Sequence, residues 1–185
     1  KLANKVISEA LSRKADAAIY MSHSQDKKKN PLSYDQKIQL GMKAFGKVVK
    51  RSKARTLIEV AKELSGKYSN LIVVVGQDRV KEFETLMNRY NGSEYNFESI
   101  NVISAGERDP DADDVTGMSA SKMRSLASSG DLEAFKKGLP RKLQSNAKNV
   151  YDMVRSGMGI NEELEEETLM EREPLSLAQR RKRAL

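Results

Sequence analysis

The sequence predicts an α/β protein with a largely parallel sheet and helices on both faces. Apolar segments of strand length alternate with amphipathic segments of helical length, which is typical of parallel sheets whose strands are joined through helices. The run "NLIVVVG" at 70–76 is continuous and rich in β-branched residues, as expected for a buried strand. Hydrophobic residues make up 38% of the 185 residues, which is enough to build one domain with a core.

The first half of the chain predicts three helices and two short extended segments. Helical periodicity begins at Leu2 in "KLANKVISEALSRK", and the apolar run "ADAAIYMS" has the length of a buried strand. Ser33 and Gln36 match a capping box that opens a helix reaching about Phe45, with a brief extended piece at 48–50. The amphipathic segment "ARTLIEVAKELSGKY" predicts a helix that ends near Gly66.

The second half continues the alternation. After the strand at 70–76, Asp78 stands where an N-cap belongs, ahead of the helix "RVKEFETLMNRY", and "ESINVISA" predicts the next strand. Ser119 is placed to cap a helix that Gly130 would end. The segment "RKLQSNAKNVYDMVRSGM" predicts one closing helix.

Composition divides the chain into an α/β domain at 1–158 and a tail at 159–185. Residues 161–185 carry seven glutamates against five basic residues, so the net charge of +7 is concentrated, as +9, on residues 1–160. We expect the tail, acidic and then basic, to be extended or to be ordered by a protein partner. The chain has no cysteine and no apolar run of membrane-spanning length, so we expect a cytoplasmic protein that does not enter a membrane.

Three loops follow the predicted strands: "SHSQDKKKNPL", "GQDR" and "GERDPDADDVTGMSASKMR". In parallel α/β sheets, ligands bind beyond the carboxyl ends of the strands, so these loops are the candidate site. The excess of positive charge on the domain favours an anionic ligand.

The segment "TGMSASKMR" combines small residues, hydroxyls and two cations at a helix start. Small side chains let a ligand approach the backbone, and free amides at the helix N-terminus favour an anion. Lys122 and Arg124 would add charge-assisted hydrogen bonds. The alternative is that Ser119 is only a cap and that both cations lie on a solvated face.

The same segment resembles the second signature of the HxGH nucleotidyltransferase superfamily, the adenylyl- and cytidylyltransferases. The matching residues, in order, are Met118, Ser119, Ala120, Ser121, Met123 and Arg124. The resemblance covers most of residues 2–140, looks closest to phage-encoded cytidylyltransferase-like members, and implies a Rossmann-like fold. It also implies that Ser119, Ser121 and Arg124 hold the β and γ phosphates of a nucleoside triphosphate.

Two other loops are similar to parts of that family. The segment "DKKKNPLSYDQKI" resembles the loop in which a lysine contacts the acceptor's phosphate, so Lys28 or Lys29 is the candidate; an ordinary solvated loop is the alternative. "VVVGQDR" resembles the strand end beside the ribose and base. Gly76 would allow close approach and Asp78 would accept a hydroxyl hydrogen bond, unless Asp78 only caps the following helix.

The HxGH tetrad itself does not occur in the sequence. "KLANKVI" is similar to the helix just after that tetrad, so we expect that the sequence begins a few residues after the tetrad's position and that this polypeptide alone is inactive or nearly so; a competent parent protein and a pseudoenzyme are both open. His23 lies after a predicted strand and is interpreted as a pocket-lining or ordinary loop residue. The carboxylates Asp109, Asp111, Asp113 and Asp114 match no calcium pattern and are interpreted as a solvated loop.

The resemblance implies transfer of AMP or CMP from ATP or CTP to a phosphate-bearing acceptor, with Mg²⁺ bridging the phosphates and release of pyrophosphate. The second hypothesis is an inactive structural or docking module, for example in a phage virion, because "EPLSLAQRRKRAL" weakly resembles basic segments of tailed-phage structural proteins. Nucleic-acid binding is a third and weaker hypothesis, since the aromatic residues show no stacking pattern.

Overall fold

A computed structural model describes residues 2–106 and 118–160, and this part of the chain is mixed α/β. Its helices are α1 (Leu2–Arg13), α2 (Tyr34–Phe45), α3 (Leu57–Leu64), α4 (Val80–Tyr90), α5 (Ala120–Ser129), α6 (Leu132–Gly138), α7 (Arg141–Gln144) and α8 (Ala147–Met158). Its strands are β1 (Ile19–Tyr20), β2 (Val49–Lys50), β3 (Asn70–Val75) and β4 (Ser99–Ser104). Short 3₁₀ turns lie at Gly46–Val48 and Gln77–Arg79.

The strands form two parallel pairs, each joined through helical connections. Ile19 lies opposite Val49 in the β1–β2 pair, and the β3–β4 pair runs in register from Asn70 opposite Ser99 to Val75 opposite Ser104. The prediction of parallel pairing is therefore confirmed for both pairs. Within the described residues the pairs belong to separate two-stranded sheets, so the structure establishes the α/β class and not one continuous sheet.

The first of two hydrophobic clusters is helical. It joins α2, α5, α6, α7 and α8 around Phe135, which is 1% exposed. The ring of Tyr151 meets the ring of Phe135 edge-on at 5.3 Å, a favourable geometry for aromatic pairs. This cluster fixes α5 against α8, and α5 is the helix that begins with the predicted phosphate-binding residues.

The second cluster covers one face of the β3–β4 pair. Leu71 and Val73 of β3 and alternate residues of β4 pack against α3 and α4, around the fully buried Ala61 and Met87. Side chains alternate between the two faces of a strand, so Ile72 and Val74 point to the opposite face, where both remain partly exposed. Helix α1 likewise has no buried residue. Leu71 and Val73 are also only partly buried, so neither face of β3 is covered as completely as its continuous apolar sequence predicts.

Local capping explains where the main helices begin and end. Ser33 accepts a hydrogen bond from the Gln36 amide while the Gln36 side chain accepts one from the Ser33 amide, so the predicted capping box is confirmed. Ser119 caps α5 as predicted, accepting from the Lys122 amide at 3.0 Å. Gly130 ends α5 in the left-handed conformation, at φ 87°.

Three predictions about elements need correction. The strand expected in "ADAAIYMS" is reduced to Ile19–Tyr20. The single closing helix is two helices, because the chain leaves the helical path at Asn146, where φ is −117° and ψ is 22°. Asp78 does not cap α4: a 3₁₀ turn delays the helix, so the residue before it is Arg79, which makes no side-chain capping bond.

Two predicted features lie outside the described residues. These are the tail at 161–185 and the carboxylate tract from Asp109 to Asp114. Within the described ranges, no helix is long and apolar enough to span a membrane.

We predict that Ser33→Ala lowers the free energy of unfolding by about 1 kcal/mol, since it leaves an amide of the first turn of α2 without its acceptor. Ser33→Asp, which supplies another accepting oxygen, is expected to retain most of the stability. Urea unfolding followed by circular dichroism measures both differences. Equal midpoints for Ser33→Ala and the natural chain would show that this cap does not stabilise α2.

Candidate anion-binding site

The segment after β1 is organised around the carboxylate of Asp26. One carboxylate oxygen accepts the Lys28 amide at 3.0 Å and the Lys29 amide at 2.6 Å, and the other accepts the Asn30 side-chain amide at 2.7 Å. The backbones of Asp26 and Asn30 also bond to each other in both directions. Residues 26–30, here called the lysine loop, therefore form a closed turn that presents three consecutive lysines to solvent.

These hydrogen bonds lower the pKa of Asp26 below its ordinary value. The side chain of Asn30 has the largest effect and the Lys29 amide the next, because both stabilise the ionised carboxylate. The charge of Asp26 is thus used to fold the turn, while the lysine side chains remain exposed.

Helix α5 offers hydroxyls and amides at its N-terminus. The Ser119 hydroxyl oxygen accepts the Lys122 amide, and the Ser119 carbonyl accepts the Met123 amide at 3.0 Å. The amides of Ala120 and Ser121 lie in the first helical turn and so have no acceptor within the helix. Because capping uses Ser119 as an acceptor, its O–H proton can still be donated to an anion. The capping interpretation and the anion interpretation are therefore compatible.

The structure brings the lysine loop and α5 together. The guanidinium of Arg124 donates a hydrogen bond from Nη1 to the carbonyl oxygen of Lys29 at 3.0 Å, across 95 positions of sequence. Predicted residues of the two loops, Lys28, Lys29 and Arg124, therefore lie beyond the carboxyl end of β1. Of the remaining predicted residues of this segment, Ser121 and Ala120 are exposed, and Met118 is partly buried.

Lys37 is a residue that sequence analysis missed. Its Nζ donates to the Ser22 carbonyl at 3.1 Å and to the Ser24 carbonyl, so it ties α2 to the segment leaving β1. Burial lowers the pKa of Lys37, and the nearby charge of Asp26 acts in the opposite direction. Its position within a capped helix is typical of a solvated lysine, so the sequence carried no signal for this role.

His23 holds the carboxyl ends of β1 and β2 together. Its ring stacks on Tyr34 with 3.7 Å between centroids, and its Nε2 donates to the Ser52 carbonyl at 2.9 Å. The Tyr34 hydroxyl bonds to both the amide and the carbonyl of Ser52. His23 is thus structural, in keeping with the interpretation as a loop residue.

Gly76 and Asp78 lie at the end of β3, on the second cluster. A Cβ at Gly76 would lie 2.7 Å from a carboxylate oxygen of Asp78, so the absence of a side chain lets the carboxylate turn back over the strand end. Asp78 is exposed, and no described hydrogen bond or ion pair joins it to Lys28, Lys29 or Arg124. The predicted contact of Asp78 with a hydroxyl stays a prediction.

A cleft of about 400 Å³ opens between the lysine loop and α8, and its lining includes Asp26, Ser33, Met153 and Gly157. None of Ser119, Ser121 and Arg124 lines it. The predicted anion site at the start of α5 is therefore not this cleft.

Among the residues that the structure describes, no group of three or more His, Asp or Glu side chains is arranged to hold a metal ion. The chemistry of the candidate site is that of cations, hydroxyls and amides. Such a donor set suits an anion rather than a bare metal cation.

Comparison of the chain with protein families, curated proteins and solved structures finds no match.

We predict that the lysine loop unfolds locally at acid pH. Because the pKa of Asp26 is lowered in the folded state, its ionised form stabilises the turn above the unfolded pKa, and this stabilisation is lost as the pH falls through the folded value. The NMR amide resonances of Lys28 and Lys29, followed from pH 6 downward, should shift with a midpoint below 3.8. Asp26→Asn should abolish the transition, whereas a midpoint at or above 3.8 would contradict the described hydrogen bonds.

Proposed function

We propose that this chain is a nucleotidyltransferase-like domain that binds a nucleoside triphosphate and a phosphate-bearing acceptor. The observation that carries the proposal is the hydrogen bond from Arg124 to the Lys29 carbonyl. It joins the segment resembling a triphosphate-binding signature to the loop resembling an acceptor-binding loop. Two motifs assigned to the two substrates of one reaction are thus adjacent.

In the proposed reaction, an oxygen of the acceptor phosphate attacks the α phosphorus of ATP or CTP. A new P–O bond forms, the bond to the β phosphate breaks, and pyrophosphate leaves with the electron pair. Both substrates are anions that repel each other, so cations are needed to bring them together and to stabilise the departing charge. Lys28 or Lys29 would hold the acceptor, and Arg124, with the hydroxyls of Ser119 and Ser121, would hold the leaving pyrophosphate.

Mg²⁺ would enter with the triphosphate. Among the described residues, no three carboxylate or imidazole side chains are grouped to hold the ion, so the phosphates themselves would supply most of its coordination. When bound, the ion neutralises phosphate charge, while the part played by the chain is to orient both substrates.

The finer fold that we propose is one Rossmann-like sheet. Within the described ranges, β1 and β3 each pair with a single strand, so each has one edge available. The hydrogen bond at 2.7 Å from the Tyr68 hydroxyl to Asp16 ties the approach to β3 to the approach to β1. A further parallel strand between β1 and β3 would join the two pairs and cover the edge of the partly buried run at 71–75.

We predict that Arg124→Ala weakens binding of MgATP or MgCTP by roughly ten- to a hundredfold. Hydrogen bonds to a charged group contribute about 1.5 to 3 kcal/mol, and the substitution removes a cation at the phosphates. Isothermal titration calorimetry with each nucleotide measures the change. Ser121→Ala, an exposed hydroxyl without a capping role, should give a smaller loss.

The matched control is Arg141→Ala, which removes an exposed arginine from α7 and should leave nucleotide affinity unchanged. Equal losses for both arginines would indicate general charge attraction rather than a site. Unchanged affinity in Arg124→Ala, or no binding of either nucleotide to the natural chain, would overturn the proposed function.

A further inference from the structure

We propose that α8 positions both walls of the anion site, with Gly157 holding the lysine loop and Arg155 holding α5. Both are positioning residues, since the groups they contact are parts of the chain and not the proposed substrates. The consequence for ligand binding rests on the proposed function, while the positioning itself rests on contacts within the described residues.

Gly157 makes the close contact between α8 and the lysine loop. A Cβ on Gly157 would overlap the carbonyl oxygen of Pro31, and would lie 2.7 Å from the carbonyl carbon and 3.0 Å from the Cβ of Pro31. Pro31 is buried and follows Asn30, the residue whose backbone closes the loop onto Asp26. Because the obstructing atoms belong to the backbone and the proline ring, no side chain can rotate away. A larger residue must move the loop or the helix.

Arg155 makes the contact between α8 and α5. Its Nη1 donates to the Ala127 carbonyl at 2.6 Å, and its guanidinium lies 5.5 Å from the centre of the Tyr151 ring. Ala127 is completely buried and follows Arg124 by three positions, so these two residues lie one turn apart on α5. Arg155 thus fixes α5 close to the guanidinium that reaches the lysine loop.

The three contacts connect α8, α5 and the lysine loop pairwise, so each element contacts the other two. Helix α8 bonds to α5 through Arg155, α5 bonds to the lysine loop through Arg124, and the loop packs back on α8 at Gly157. A displacement of α8 therefore changes the separation of the Arg124 guanidinium from the lysines. Sites that hold two substrates are sensitive to displacements of about 1 Å.

The test uses sodium tripolyphosphate as the probe and two variants of the full chain. Gly157→Ala adds the obstructing Cβ, and Arg155→Met removes the donor while keeping most of the packing. Both should weaken tripolyphosphate binding, measured by calorimetry, by about tenfold or more. Both should also speed hydrogen exchange at the Lys28 and Lys29 amides, while circular dichroism shows an intact fold.

The controls separate positioning from a general effect. Asn149→Ala introduces the same residue at an exposed position of α8 and should change neither readout. Arg155→Lys retains a donor for the Ala127 carbonyl and should restore much of the affinity. If Gly157→Ala fails to fold, the comparison of Arg155→Met with Arg155→Lys still tests whether α8 positions the site.

The proposal is overturned if the Lys28 and Lys29 amides exchange hydrogen at the same rate in both variants as in the natural chain, whatever the affinity of the variants for tripolyphosphate. It is also overturned if they bind the probe as tightly as the natural chain. If the natural chain does not bind tripolyphosphate, the proposed function fails, and the exchange rates alone then determine whether α8 positions the loop.

Discussion

The hydrogen bond from Arg124 to the Lys29 carbonyl is the contact on which the candidate site depends. It places a guanidinium beside a run of three lysines, an arrangement that like-charge repulsion opposes. The neutral carbonyl offsets part of that repulsion because it accepts a hydrogen bond from the guanidinium and carries no positive charge of its own. Under the proposed function, the phosphates of the two substrates supply the negative charge that these cations bind.

The one carboxylate in the lysine loop, that of Asp26, forms hydrogen bonds within the turn. Asp26 is exposed, and its carboxylate accepts hydrogen bonds from the amides of Lys28 and Lys29 and from the side chain of Asn30. Its charge therefore stabilises the turn. Ser119 at the start of α5 also has a structural role, because its hydroxyl oxygen accepts the Lys122 amide and caps the helix. Its O–H proton can still be donated to another acceptor.

The parts of this structure that could be predicted are those set by neighbours in sequence. The caps at Ser33 and Ser119 and the stop at Gly130 follow from bonds that span a few residues, and all three were predicted. The error at Asp78 is also local: the sequence contains a good cap, but a 3₁₀ turn after β3 delays the helix by one residue. Capping propensity alone does not determine where a helix begins.

The residues that were missed act over long separations. Lys37 contacts carbonyls 13 and 15 positions away, and Arg155 reaches a carbonyl 28 positions away. Gly157 is needed only because the Pro31 backbone lies against α8. A lysine in a helix, an arginine near a helix end and a glycine in the last turn have ordinary local explanations. Their roles appear only when the packing of distant segments is known.

The candidate nucleotide-binding loops lie next to different hydrophobic clusters. Helix α5 belongs to the helical cluster, and Leu32, just after the lysine loop, packs against that cluster. Gly76 and Asp78 instead follow β3, a strand that packs in the second cluster. A triphosphate at α5 whose ribose reached Asp78 would contact both clusters, and such binding would stabilise their arrangement through its free energy. The ligand would then contribute to joining the two halves of the domain as well as filling the site.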